Sequence, residues 1–177
     1  MRLLPTLVSV FLTLALHADP TPKWKLIGPT AYSTAVGQNP AGLGVFRTVE
    51  ADAKRVLIGG LTSGIWLSTD RGIHWRDTTL GMPLEAVNKI RFCPSDHTRL
   101  YAATDAGIIR SDNSGNSWKF TSLNRSSTYP HMYRSDWVWL AVSPCNPDCV
   151  VASTGDGLVR TINGGKSWKQ VHKNFRC

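Results

Sequence analysis

Ser68, Asp70 and His74 fall within one octet, "STDRGIHW". A hydroxyl, a carboxylate and an imidazole are the groups of nucleophilic acyl transfer, in which the imidazole takes the hydroxyl proton and the carboxylate orients it. That chemistry makes a testable demand: the three groups must be free to face a substrate. The octet returns twice, as "SDNSGNSW" from Ser111 to Trp118 and "TINGGKSW" from Thr161 to Trp168. Neither copy carries the histidine, and both replace the carboxylate with an amide. A Ser or Thr followed by Asp or Asn turns its side-chain oxygens onto nearby backbone N–H groups. Gly72, Gly115 and Gly165 suit a positive φ, and Trp75, Trp118 and Trp168 can bury a large ring. Every shared residue has a structural job, so the octet reads as a building part.

The repeat extends well beyond the octet. Aligned on their tryptophans, the three copies also share Gly64, Gly107 and Gly157, and superimpose Leu57, Leu100 and Val150 without a gap. The last two copies continue back to Pro94 and Pro144. Each unit reads as short apolar or alternating segments broken by Gly, Pro, Asp and Asn, with no useful helical window. Four antiparallel strands per unit are expected, the octet forming the hairpin between the third and fourth. Spacings of 43 and 50 residues between the tryptophans match a β-propeller blade. The expected fold is thus all-β, a partial propeller of about three four-stranded blades.

The motif S/T-x-D-x-G-x-x-W is the Asp box, and the chain from about residue 24 to 172 resembles the Asp-box (BNR-repeat) propeller superfamily. That superfamily includes sialidases, sortilin-type receptor domains, xyloglucan-degrading endoglucanases and a photosystem assembly factor. The first copy matches in full through Ser68, Asp70, Gly72 and Trp75. The others carry Asn113 with Ser111, Gly115 and Trp118, and Asn163 with Thr161, Gly165 and Trp168. "WKLIGPT" and "SGIWLSTD" look most like secreted sortilin-like or glycosidase-like members. The resemblance specifies a fold and leaves function open, since enzymes and binders share it.

Antiparallel strands sort the loops onto two ends. The box turns share one end with Cys93, Cys145 and Cys149. The other end collects Thr62 and Ser63, Asp105, Gly155 and Asp156, and the long crossing that carries Tyr129, His131, Tyr133 and Arg134. Long loops on a rigid scaffold are where binding residues gather, so those last four are the binding candidates. Trp137 and Trp139 alternate along the following strand and read as core, as does Trp66. A sialidase-like reading would give Arg47 of "FRTV" the substrate carboxylate, but Thr48 and Val49 stand where Ile and Pro belong. A xyloglucanase-like reading would make Asp105 of "ATDAGIIR" a catalytic acid, although Ile108 replaces the second glycine of that loop. Glycoside hydrolysis also calls for a second carboxylate.

Residues 1–18 read as a signal peptide: Arg2, an apolar run, and a small residue at Ala18. Residues 19–45 form a lead-in, and 46–177 hold the blades. The expected location is secreted or periplasmic, with no membrane span. In an oxidising compartment Cys145 and Cys149 of "CNPDC" are a disulfide candidate, while Cys93 and Cys177 have no evident partner. The cysteine and histidine spacing is not that of a metal site, and nothing implies a cofactor. A net charge of +8 is spread along the chain without a basic block, which argues against nucleic acid. A closed propeller needs four or more blades. The chain is therefore read as the N-terminal piece of a longer protein or one subunit of a shared ring. Its expected role is protein or glycan binding or scaffolding, the alternative being part of a secreted glycoside hydrolase.

Overall fold

The computed structural model describes residues 45–84, 86–124, 139–154 and 157–173. They form three four-stranded antiparallel sheets joined in chain order. The first holds β1 (Phe46–Ala51), β2 (Val56–Gly60), β3 (Ile65–Ser68) and β4 (Arg76–Asp77). The second holds β5 (Val87–Cys93), β6 (Asp96–Thr104), β7 (Gly107–Ser111) and β8 (Lys119–Asn124). The third holds β9 (Leu140–Val142), β10 (Val150–Thr154), β11 (Gly157–Thr161) and β12 (Lys169–Lys173). Among the described residues no helix is long and apolar enough to cross a membrane.

The sheets stack face to face, so apolar residues of one pack on the next. Leu57, Ile65 and Leu67 of the first blade meet Val87, Ile90, Leu100, Ala102 and Ile109 of the second, with Trp118 and Phe120 against them. Tyr101, Ala103, Ile108 and Leu123 of the second meet Leu140, Val150, Ala152 and Val159 of the third, with Trp168 alongside. Trp66 is buried with Ile58 on the remaining face of the first blade, beside Trp75. Burying both faces of the middle sheet explains its near-continuous apolar runs.

The ungapped alignment fails at one point. Leu57 pairs with Leu67, whereas Leu100 pairs with Ser111 and Val150 with Thr161. The first blade's β2–β3 turn, closed by the Gly60 N–H on the Gly64 carbonyl at 3.0 Å, holds one residue more than its counterparts. Val56, not Leu57, is therefore the match to Leu100 and Val150. A one-residue slip reverses which face a strand residue occupies, and Leu57 faces the second blade while Leu100 faces the first.

Candidate binding surface

At the box end the turn chemistry is visible atom by atom. The Gly72 N–H donates to Ser68 Oγ at 2.8 Å, Gly115 to Ser111 Oγ at 2.9 Å and Gly165 to Thr161 Oγ1 at 2.9 Å. Each hydroxyl then donates to the next acceptor, Asp70, Asn113 or Asn163, at 2.9 Å. That acceptor takes a backbone N–H four residues on, from His74, Ser117 or Ser167. The second side-chain atom settles the fourth residue. Asp70 Oδ2 accepts from His74 Nδ1 at 2.6 Å, while Asn113 and Asn163 Nδ2 each donate to the Ser117 or Ser167 hydroxyl at 2.8 Å. Asp70 thus meets a donor, whereas Asn113 and Asn163 each donate to a hydroxyl. The His74 backbone N–H, opposed by partial burial and helped by the His74 and Ser68 side chains, holds the Asp70 carboxyl down to about 2. The Ser68 hydroxyl already serves two partners in the turn, so the trio has no free nucleophile.

The boxes also clamp neighbouring blades. The Trp118 indole N–H donates to Thr78 Oγ1 of the first blade at 3.0 Å. A Cβ on Gly115 would lie 2.7 Å from Leu57 Cδ2, and one on Gly165 would lie 2.7 Å from Thr121 Cβ. The Ser122 N–H donates to the Gly165 carbonyl at 2.9 Å. Arg110 donates to the Gly164 carbonyl and to Asp112, and Arg99 bridges Asp112 and Asp148 across the same seam.

The loop from Ser143 to Cys149 completes that seam. Its Pro147 carbonyl accepts the Tyr101 hydroxyl at 2.9 Å, and burial pushes the Tyr101 hydroxyl and the Cys93 thiol each up to about 12. Cys145 and Cys149, the expected disulfide pair, are not joined in this structure, and Cys93 is likewise unbonded. Hydrogen bonds already close the turn, the Cys149 N–H on the Asn146 carbonyl at 3.0 Å and the Ser143 N–H on the Cys149 carbonyl at 2.9 Å. Cys177 lies outside the described residues.

At the opposite end, Asp105 occupies the two-residue β6–β7 turn. Its Oδ1 accepts the Ala86 N–H at 3.1 Å, and its own N–H donates to the Ala86 carbonyl at 3.0 Å. The carboxylate thus ties the chain entering β5 to the turn, a structural use that sequence alone did not reveal. Tyr129, His131, Tyr133 and Arg134 lie outside the described residues, as do Trp137, Gly155 and Asp156. Arg47 donates to Asn88 Oδ1 at 2.7 Å, linking the first two blades.

Trp139 departs from its expected place in the core. It is 57% exposed, immediately before β9. Its backbone is fixed by the Ser153 N–H on the Trp139 carbonyl at 2.8 Å and by its own N–H on Ser153 Oγ at 3.0 Å. Lys89 of β5 sets its Nζ 5.7 Å from the ring centroid. Neighbouring sheets approach one another along β1, β5 and β9, so this cation–aromatic pair stands on the strands nearest the axis. A fixed, half-open indole beside a cation is a surface that stacks planar or ring-shaped groups and attracts negative charge.

A family model described as sortilin, neurotensin receptor 3 (Sortilin-Vps10) matches residues 63–177. No curated protein matches the chain. Among solved structures, the chain is similar to an ancestral GH74 enzyme, at 23% identity over 74% of this chain and 18% of that one, with a TM-score of 0.58. A GH74 enzyme of Niastella koreensis is similar at 17% identity over 72% and 22%, TM-score 0.52. YCF48 of Cyanidioschyzon merolae is similar at 16% identity over 73% and 37%, TM-score 0.54. The chain spans between 18% and 37% of the length of these structures. At such identities the likeness concerns the fold, and with the three sheets above it makes the architecture a partial β-propeller.

Proposed function

Because the chain belongs to the Sortilin-Vps10 family, we propose that it is an exported propeller module that binds a protein or glycan ligand at the end opposite the Asp boxes. One observation carries the reading: Trp139, exposed and held by Ser153 on both sides of its peptide, presents its ring with Lys89 on the axis-facing strands. Burying such a ring in water-excluding contact with a ligand is worth a few kcal/mol, on the order of an interface hot spot. The family's description as a receptor favours binding over catalysis. The remaining blades come from a longer chain or a second subunit, and the apolar start, Leu3 to Leu16, exports the protein.

The glycosidase alternative draws no support from Asp105, whose carboxylate is engaged with the Ala86 backbone. The test is a screen of the mature protein against peptide and oligosaccharide arrays, run in parallel with Trp139→Ala. Signals lost in the variant support the reading. Equal binding by both proteins of every ligand that the parent captures contradicts it.

A further inference from the structure

On the box end, away from that surface, lies a groove of about 1000 Å³ between the first two box turns. The residues lining it are charged or hydroxyl-bearing apart from His97 and Ala53, the largest purely apolar side chain there, although their carbon atoms make up most of its exposed surface. Such a groove offers no large apolar side chain for those of a peptide to pack against.

Its charges fall into two sets. The acids are already engaged. Asp52 accepts Arg55 Nε at 3.1 Å, the Arg55 Nη2, and the backbone N–H groups of Lys54 and Arg55 at 2.8 Å each. Asp70 spends its oxygens on Ser68, Ile73 and His74. Arg55 is pinned by the His97 carbonyl at 2.9 Å and lies over the Phe92 ring, on which His97 also stacks. Arg55 thus offsets the charge of Asp52, whereas Asp70 keeps its negative charge. Lys54 and Arg71 differ: both are exposed, both line the groove, and neither side chain meets a carboxylate among the described residues. Arg71 holds its place with φ at 62°, the left-handed turn position occupied by Gly164 in the third copy.

From two available cations, flanking hydroxyls and no large apolar side chain, we infer that this groove binds the sulfate or carboxylate groups of an acidic polysaccharide. Lys54 and Arg71 pair with its anionic groups, the Lys54 backbone being held by Asp52 and Arg71 by its place in the box turn. The site is independent of the Trp139 surface, so either can stand without the other.

The probe is a heparin oligosaccharide titrated into the mature protein at 0.15 M salt, with thermal unfolding run beside it. Lys54→Gln combined with Arg71→Gly, which suits the positive φ, is expected to lose roughly tenfold in affinity with an unchanged fold. Lys166→Gln combined with Lys169→Gln removes the same charge elsewhere and is expected to bind like the parent. Equal losses in the two double variants would mean diffuse attraction to a basic surface and overturn the inference. So would unchanged binding in the groove variant. Polyglutamate that binds as tightly as heparin and responds to the same variants would overturn the polysaccharide assignment in favour of an acidic peptide. Should the groove variant unfold, Lys54→Gln alone carries the test, with a smaller loss expected and no loss contradicting it.

Discussion

The Trp118 indole N–H donates to Thr78 Oγ1 across the seam between the first and second blades, at 3.0 Å. Trp168, the same residue one blade on, is also half-buried, but its Nε1 is buried without a hydrogen-bond partner among the described residues. Trp→Phe removes the indole N–H together with the same part of the ring at both sites, so the difference between the two variants should read the bond. Trp118→Phe is expected to cost about 1 kcal/mol more than Trp168→Phe, the worth of one net hydrogen bond. Urea unfolding of the two variants reads the difference, and equal costs would mean that the Thr78 bond contributes nothing.

Gly115 has φ at +81° and so little space that a Cβ would meet Leu57 Cδ2 at 2.7 Å. Gly81 has nearly the same backbone, φ +83°, with nothing within 4 Å. Gly81→Ala thus measures backbone strain alone, about 1 kcal/mol, and Gly115→Ala adds the collision of two blades. The second is expected to be the more destabilising by at least about 1 kcal/mol. Matching midpoints would reduce the box glycine to a turn residue with no role at the seam.

Asp70 is held down to about 2 from an ordinary 3.8. A carboxylate whose folded value is depressed contributes stability above its unfolded value, and that contribution fades as pH falls from about 4 toward 2. Asp70→Asn, which installs the side chain found in the other two boxes, should flatten that part of the acid limb. Thermal midpoints between pH 5 and pH 2 test this; an acid limb identical in parent and variant would show that Asp70 does not contribute to it.

Asp105 joins the β6–β7 turn to the start of β5 through Ala86. Asp105→Ala is expected to cost about 1–2 kcal/mol of stability, with Asp105→Asn costing less because its amide oxygen still accepts the Ala86 N–H. A catalytic acid would behave otherwise, losing activity in both variants with stability intact.

Much of the architecture was legible because the box residues are constrained locally. The hydroxyl, the acceptor two residues on, and the glycine after that must sit at fixed spacing to satisfy one turn, so three copies announced three hairpins. Contacts between blades left no such trace. Nothing in the spacing of Arg99, Arg110, Asp112 and Asp148 shows that they meet, because their partners are set by sheet stacking. The additional residue in the first β2–β3 turn was hidden by Leu57, whose apolar character fits either face. Trp139 misled for a related reason: alternation with Trp137 fixes a shared side but not whether another sheet covers it. The pairing of His74 with Asp70, against Ser117 with Asn113, was the one signal present in the sequence and not read from it.

The measurement closest to the central claim is the affinity of a ligand recovered from the array screen for Trp139→Ala and Lys89→Gln, each checked for an unchanged unfolding midpoint. Trp139 is half exposed and its backbone bonds with Ser153 do not involve the ring, so folding should survive. The account predicts at least about a tenfold loss for Trp139→Ala and a smaller one for Lys89→Gln. Full affinity in both folded variants would contradict it and move the binding surface away from the axis-facing strands.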